Sequence, residues 1–390
     1  MTRIQIMALL SGGLLFLVAA CNRENKIDCP DEGDLSGIPY KPEPYNLIKP
    51  AHFPEVPIPP DNPLTVAGVQ LGRRLFYDPI LSGDSTMSCS SCHLSQGSFT
   101  DNLPVSVGIA GVAGTRSSMS LLNIAYATNG LFWDGRVRTL EEQALLPVED
   151  PIELHTSWHS VVEKLQKHPE YPRRFREAFG INSTCEITKE LAAKAIAQFE
   201  RILISSGNSR YDRFRFKGDL DAMDDEEIDG MIMYFEEAPT LGLNLPDAQC
   251  FHCHGGITLT GNNFFSNGID AVTDYMQFKD PGLGGVTNKM TDRGKFRATT
   301  LRNIALTAPY MHDGRFQTLE EVVEHYSSHG KSQFPYQDPL IREVGFPIPG
   351  TNPVQYTGLT PYQKSALVKF LHALTDTDFV NNPDIQNPFE

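Results

Sequence analysis

The chain has 390 residues, a length that predicts two or three domains of ordinary size. Its hydrophobic content of 40% is sufficient for packed cores, and its formal net charge is -15 at pH 7. This acidic balance argues against a nucleic-acid partner, because phosphate neutralisation requires Lys and Arg. It is compatible with simple solubility, or with a basic or weakly charged protein partner such as a small electron carrier.

The N-terminus has the pattern of an export signal. Arg3 precedes an apolar run that ends near residue 20, which is short for a membrane span and fits a signal peptide over residues 1–20. The run closes with Val-Ala-Ala-Cys and resembles a bacterial lipoprotein signal, in which Cys21 carries the lipid. We therefore expect a protein on the periplasmic side of a bacterial envelope, anchored through Cys21. The alternative is a plain signal peptide followed by an incidental cysteine.

Composition divides the rest of the chain into a tether and two domains. Residues 21–45 are polar and rich in Pro and Gly, which predicts a flexible tether. The first domain is predicted over 46–220, beginning with an extended Pro-rich segment, and the second over 221–390.

Helical periodicity recurs along both predicted domains, and no stretch shows convincing strand alternation. The predicted class is therefore mostly α with long loops. The predicted helices cover residues 65–76, 140–146, 158–165, 188–203, 225–235, 319–326 and 361–374.

Two Cys-x-x-Cys-His motifs carry the strongest chemical signal. Their residues are Cys89, Cys92 and His93 in the first domain and Cys250, Cys253 and His254 in the second. In such a motif two thiols add across the vinyl groups of haem, and the histidine ligates the iron. Two covalently bound haem c groups are therefore predicted. The physical rival is a zinc site that uses all four cysteines.

Two further cysteines, Cys29 and Cys185, lie outside these motifs. In an oxidising compartment they are able to form a disulfide. Their pairing is a hypothesis, because the sequence does not say how far apart they lie.

The chain also repeats itself around the two motifs. Residues 123–125, 132–136 and 139–142 recur, with substitutions, as 303–305, 311–315 and 318–321. Continuing this alignment pairs Pro147 with Tyr326. A phenol is able to ligate iron and a proline is not, so the asymmetry predicts a closed second haem and an open first haem. The alternative for Tyr326 is core packing on a helix.

Together these residues resemble the bacterial di-haem cytochrome c peroxidases and the related methylamine-utilisation enzymes of MauG type. The resemblance runs from about residue 71 to residue 374. The matching residues are Leu71-Gly72-x-x-Leu75-Phe76, Asp78-Pro79, Leu81-Ser82-Gly83, Cys89 to His93, Phe132 to Arg136, Ala308-Pro309-Tyr310 and His312 to Gly314. It implies a cytochrome c-like fold for each domain, with a peroxidatic haem in the first and an electron-transfer haem in the second.

The resemblance also implies roles for individual residues. Trp133 matches the tryptophan that lies between the haems and helps electrons to cross. Gln143 and Glu153 match the distal polar pair over the peroxide-binding iron, where a carboxylate transfers a proton between the peroxide oxygens. Without the resemblance, Glu153 reads as a solvated surface acid.

Two departures from the peroxidase pattern affect the iron ligands. Many of these peroxidases carry a histidine that caps the first haem at rest, whereas this chain reads Val-Gly-Ile-Ala-Gly at 107–111. The distal ligand of the second haem is usually methionine in the peroxidases, but here Tyr326 stands there, as in MauG-type enzymes. Met311 is the alternative ligand.

The family further implies a calcium ion between the haems. Thr307 and Pro309 match two of its protein contacts, and Ser117 stands where the third contact is usually an asparagine.

The leading functional expectation is reduction of H2O2 to water at the first haem. Electrons would arrive through the second haem from a small electron-donor protein, a cytochrome c or a cupredoxin. One alternative is a MauG-type di-haem oxidase that acts on a protein substrate. Another is a non-enzymatic electron-transfer cytochrome, which needs no Gln143 and Glu153 pair. The expected assembly is a homodimer with no nucleic-acid partner, and with membrane contact only through the N-terminal lipid.

Overall fold

The computed structural model describes residues 33–235 and 245–390 and confirms the mostly helical class. The predicted signal peptide, Cys21 and Cys29 lie outside the described residues. Within them, no helix has the length and apolar character that crossing a membrane requires.

The elements follow the chain in two successive groups. The helices are α1 Val66–Tyr77, α2 Leu140–Glu149, α3 Trp158–Lys167, α4 Tyr171–Phe179, α5 Lys189–Arg201, α6 Arg210–Lys217, α7 Asp225–Phe235, α8 Cys250–Cys253, α9 Leu283–Thr287, α10 Leu319–Ser327, α11 Pro361–Ala373 and α12 Thr377–Val380. The strands are β1 Phe264–Phe265, β2 Phe296–Arg297, β3 Pro347–Ile348 and β4 Gln355–Tyr356. Strands β1 and β2 form one antiparallel pair, and β3 and β4 form another.

Each predicted helix is present, and the ends agree with local capping signals. The hydroxyl of Thr65 accepts a hydrogen bond from Gly68 N at the start of α1, and Thr360 caps α11 ahead of Pro361. Helices α4 and α6 escaped prediction because charged residues interrupt their apolar periodicity. In α4, burial of Tyr171 and Phe175 supplies the tertiary stabilisation that the local sequence lacks.

The first core is built on the contact between α1 and α5. Gly72 of α1 makes this close approach possible, since a Cβ there would lie 1.8 Å from the carbonyl oxygen of Ala195. The second core repeats the arrangement with α7 and α11. A Cβ on Gly230 would lie 2.0 Å from the carbonyl oxygen of Ala366. A glycine thus lets the two main helices touch in each half of the molecule.

Chain segments cross between the two cores. Tyr211 of α6 packs in the second core, whereas Phe379 and Ile385, near the C-terminus, pack in the first. The hydroxyl of Tyr77 donates to the carbonyl of Ile385 at 2.7 Å. The C-terminal segment therefore fastens the second half of the chain onto the first, a feature that the sequence did not predict.

The end of the predicted tether differs from expectation. Leu35 is buried in the first core, and its backbone N–H donates to the carbonyl of Asn182 at 2.9 Å. Ile38 and Tyr45 also pack against that core. Residues 33–45 are therefore held on the first domain, because their apolar side chains gain more from burial than a solvated linker would.

Candidate haem and peroxide sites

The two motif histidines are held in one orientation by the backbone. Nδ1 of His93 donates to the carbonyl of Phe99 at 2.8 Å, and Nδ1 of His254 donates to the carbonyl of Thr299 at 2.8 Å. Burial lowers the pKa of both rings, that of His254 to about 4. Each ring is therefore neutral and turns a free Nε2 outward, which is the form that ligates iron.

The four motif cysteines are free thiols and lie in two separate cavities. Cys89 and Cys92 line one cavity together with His93, while Cys250 and Cys253 line the other with His254. This separation excludes a zinc site built from all four thiols. Each pair has the donor set and the apolar surroundings that a covalent haem c requires, so the residues fit that cofactor.

The first cavity has a volume of about 530 Å³ and brings together the predicted peroxide-site residues. Gln143 and Pro147 reach it from α2, and Glu153 reaches it from the turn that follows. Among the residues that line it, the position equivalent to Tyr326 is a proline, which offers no ligand.

Glu153 is a half-buried acid and not a solvated one. Burial raises the pKa of its carboxyl, with a further increase from Asp150 and a smaller opposing effect of Arg136. A carboxyl with a raised pKa in a cavity wall suits proton transfer near neutral pH.

The loop at residues 107–111 packs against Glu153. Ile109 N donates to the carbonyl of Glu153 at 3.1 Å, and a Cβ on Gly108 would overlap the carbonyl oxygen of Ile152. Gly108 and Ser106 line the cavity, and residues 107–111 bring no imidazole into it. The loop therefore closes one side of the cavity without supplying an iron ligand.

The second cavity, of about 190 Å³, contains both candidate distal ligands. Tyr326 and Met311 line it together with Asn267. The side-chain amide of Asn267 donates to the sulfur of Met311 at 3.1 Å. Burial raises the pKa of the Tyr326 phenol.

Trp133 lines both cavities. Its indole N–H donates to the carbonyl of Ser117 at 2.9 Å. The ring of His312, its partner in the internal repeat, lies edge-on at 6.5 Å between centroids. Phe296 then stacks on His312 at 3.6 Å. The sequence analysis did not assign a role to His312, although the repeat alignment contains the signal.

The predicted calcium residues lie in this inter-domain region, but their hydroxyls are already engaged. The hydroxyl of Ser117 donates to the carbonyl of Met311 at 3.0 Å, and that of Thr307 donates to the carbonyl of Ile304 at 3.0 Å. No group of three or more His, Cys, Asp or Glu side chains suited to a metal occurs in residues 33–235 and 245–390. A calcium ion there would have to use backbone carbonyls, and it stays a prediction.

Two buried charged residues in the cavity walls were missed by the sequence analysis. Glu200 of α5 is 4% exposed, lines the first cavity, and has one carboxylate oxygen without a hydrogen-bond partner. Burial raises its pKa to about 8. Arg297 of β2 is 6% exposed and lines the second cavity. Glu200 could have been found in the sequence, because it is an acid on the apolar face of a predicted helix. The local sequence around Arg297 contains no such signal.

The remaining cysteine predictions rest partly outside the described residues. Cys185 is disulfide-bonded. Cys29, its predicted partner, lies outside residues 33–235 and 245–390.

Comparisons with known proteins found related sequences and a related structure. The sequence model of a family described as di-haem cytochrome c peroxidase matches residues 66–221. A cytochrome c551 peroxidase from Nitrosomonas europaea is 36% identical over 278 residues, covering 70% of this chain and 77% of that protein. Methylamine utilization protein MauG from Methylorubrum extorquens is 34% identical over 280 residues, covering 71% of this chain and 73% of MauG.

Among solved structures, a MauG-like protein associated with microbial copper homeostasis is 34% identical. It superposes with a TM-score of 0.76 and covers 89% of this chain and 100% of its own.

Proposed function

This chain belongs to the di-haem cytochrome c peroxidase family, and from that membership we propose that it reduces H2O2 to water at the first of its two haem c groups. Electrons enter through the second haem from a small electron-donor protein, a cytochrome c or a cupredoxin. The observation that carries this proposal is that Gln143 and Glu153 line the cavity of His93, where Pro147 offers no competing ligand.

When bound, the haems supply the irons that exchange electrons and, in the first domain, the iron that binds peroxide. The chain's own residues handle the proton. Glu153 accepts a proton from the near oxygen of peroxide and returns it to the far oxygen, which leaves as water. Its raised pKa supports this role, because a weaker acid holds the proton more readily at neutral pH. Gln143 positions the peroxide by hydrogen bonding.

The proposal is tested by EPR of the ferric protein, followed by addition of H2O2. We expect a high-spin signal from the first haem that disappears rapidly with peroxide, and turnover of reduced cytochrome c under steady-state conditions. Two low-spin haems that do not respond to peroxide would contradict it and favour a plain electron-transfer cytochrome.

For the second haem we propose Tyr326 as the distal ligand, with Met311 as the alternative. Support comes from the repeat, in which Tyr326 stands at the position that Pro147 occupies in the first domain, and from the side chain of Asn267, which already donates to the Met311 sulfur. Substituting Tyr326→Phe should change the second-haem spectrum, whereas Met311→Leu should leave it nearly unchanged. The reverse pattern would assign the ligand to Met311.

A second candidate function is oxidation of a protein substrate, as a MauG-type enzyme. It is favoured by Tyr326 in the second cavity and by the absence of an imidazole in residues 107–111. Steady-state assays separate the candidates. Fast peroxide-dependent oxidation of reduced cytochrome c favours the peroxidase, while slow turnover of cytochrome c with a rapid peroxide reaction favours the oxidase.

We further propose that the mature protein is held on the periplasmic side of a bacterial envelope by a lipid on Cys21. Intact-mass measurement of the mature chain tests this, because an unmodified Cys21 would refute it.

A homodimer and a calcium ion near Ser117, Thr307 and Pro309 are proposed on the family resemblance. Light scattering and metal analysis of the purified protein test them.

A further inference from the structure

Arg297 is a buried cation in the wall of the second cavity. It lies on β2, where it pairs with Phe264, and it is 6% exposed. Its backbone N–H donates to the carbonyl of Trp133 at 3.0 Å. The residue therefore touches the backbone of the tryptophan between the haems while its side chain reaches the cavity of His254.

All hydrogen-bond partners of the Arg297 side chain are neutral. Its guanidinium donates to the carbonyl of Gly130 and, at 2.6 Å, to the amide oxygen of Asn262. The amide nitrogen of Asn262 in turn donates to the carbonyl of Tyr126 at 3.0 Å. These contacts hold the guanidinium in place but leave its charge without an anion.

Another buried arginine, unlike Arg297, has a carboxylate partner. Arg302, which is 1% exposed, is paired with Asp212 at 2.9 Å. Within residues 33–235 and 245–390, by contrast, no carboxylate lies within ion-pair distance of Arg297. Burial alone lowers its pKa, to about 10. A buried cation without a counter-charge is strongly unfavourable, so an anion is needed at this place.

Asp338, the carboxylate in the same cavity wall, is engaged elsewhere. Its side chain accepts a hydrogen bond from Leu340 N at 3.1 Å and caps the short helical turn Pro339–Glu343. The missing anion is therefore not supplied by the described part of the cavity wall.

We propose that Arg297 is the binding site for a carboxylate that enters with the cofactor, a propionate of the second haem. Haem c carries two propionates, and a haem attached to Cys250 and Cys253 would occupy the cavity that Arg297 also lines. A guanidinium binds such a group through charge-assisted hydrogen bonds. The assignment goes beyond the proposed function: it needs only haem attachment in the second domain and is independent of what the first haem reduces.

A fixed cation beside the second haem also influences the equilibrium between its oxidised and reduced forms. Because reduction adds a negative charge to the haem, a nearby guanidinium favours the reduced form. Arg297 is therefore a positioning and tuning residue, which ties the edge of the second haem to the backbone of Trp133.

The test uses the full-length holo-protein with Arg297→Gln and Arg297→Lys. Arg293→Gln is the matched control, because Arg293 is also partly buried and donates to the carbonyls of Tyr275 and Phe278, but lines neither cavity. Haem content is measured by pyridine haemochrome, and the midpoint potential of each haem by redox titration followed by EPR.

Arg297→Gln should shift the reduction equilibrium of the second haem about tenfold toward the oxidised form, or ~59 mV for one electron. Arg297→Lys should keep the reduction equilibrium of the second haem close to that of the unsubstituted protein, and Arg293→Gln should not change it. An unchanged second-haem potential in Arg297→Gln, an equal shift in Arg297→Lys, or a shift confined to the first haem would overturn the assignment.

If Arg297→Gln does not retain haem, resonance Raman spectra of Arg297→Lys decide the question. The propionate bending band of the second haem should move relative to the unsubstituted protein, and an identical band would overturn the proposal. Neither readout involves peroxide, so failure of the proposed peroxidase function would be seen separately.

Discussion

The two haem cavities are built from the same repeated elements and differ in what those elements present to the iron. Helices α2 and α10 both begin with a Thr–Glu capping box, formed by Thr139 with Glu142 and by Thr318 with Glu321. At equivalent positions further along, α2 offers Pro147 to the first cavity and α10 offers Tyr326 to the second. The same scaffold thus gives one cavity without a candidate distal ligand on that helix and one cavity with a candidate, Tyr326.

The cavities also differ in the buried ionisable groups of their walls. In the first, Glu200 is an acid with an unpartnered oxygen and a pKa raised to about 8. In the second, Arg297 is a cation bonded only to neutral groups. At pH 7 a carboxyl with this pKa is mostly neutral, whereas the guanidinium is charged, so the difference between the two sites extends beyond the iron ligands.

The strongest test of this contrast removes the proton-transfer group from the first cavity only. Glu153→Gln should lower kcat/KM for peroxide by about 100- to 10,000-fold, because general acid–base catalysis contributes on that order. The potential of the second haem should not change. Glu149→Gln is the control, since Glu149 lies exposed nearby, at the end of α2. Equal activity of the two variants would mean that Glu153 does not transfer the proton.

A second test concerns the acid of the first cavity. The folded-state pKa of Glu200 is about 8, above the ordinary 4.5, so the folded protein binds more protons than the unfolded chain between these values. The free energy of unfolding should therefore fall as pH rises from about 4.5 to 8 and stay level above that. With ~1.4 kcal/mol per pKa unit, the loss is about 5 kcal/mol at most.

Glu200→Gln should remove this part of the pH dependence, as measured by denaturant unfolding at several pH values. Glu190→Gln, an exposed position at the start of α5, should leave it intact. If the free energy of unfolding depends on pH in the same way for Glu200→Gln and the unsubstituted protein, the pKa of the Glu200 carboxyl is not raised in the holo-protein.

The link between the cavities is tested with tryptophan substitutions. Trp133→Phe should slow electron transfer between the haems by about tenfold, equivalent to ~1.4 kcal/mol in activation free energy. Trp158→Phe is the control, because Trp158 is buried and donates to the carbonyl of Leu145 but lines neither cavity. Stopped-flow reduction of the peroxide-treated protein measures the rate. Equal rates in both variants would mean that Trp133 does not contribute to electron transfer between the haems.

The smallest expected effect tests the similarity of the two halves. Thr139→Ala and Thr318→Ala each remove a hydroxyl that accepts a backbone hydrogen bond, at 3.1 Å from Glu142 N and 3.2 Å from Glu321 N. Each should lower the free energy of unfolding by about 1 kcal/mol. A much larger loss for one of them would mean that its helix is supported differently by the surrounding domain.

Much of the fold and of the site is encoded locally, and this part could be predicted. The haem-attachment motifs are five residues long, the capping boxes span four, and helices α1, α5 and α11 show regular apolar periodicity. The internal repeat adds one comparison at long range. It was sufficient to distinguish Pro147 from Tyr326, because both follow capping signals at fixed spacing.

Tertiary structure alone decided the features that depend on residues distant in the chain. Leu35, Phe379 and Ile385 bury side chains in the first core although the sequence marks them as parts of terminal segments. The charge of Arg297 is unpaired only because folding buries β2 against Gly130 and Asn262 with no carboxylate nearby. The sequence by itself therefore determined the class of cofactor, haem c, and the two motifs that are predicted to attach it. Burial and long-range packing, which no local pattern records, decided the electrostatic surroundings of each site.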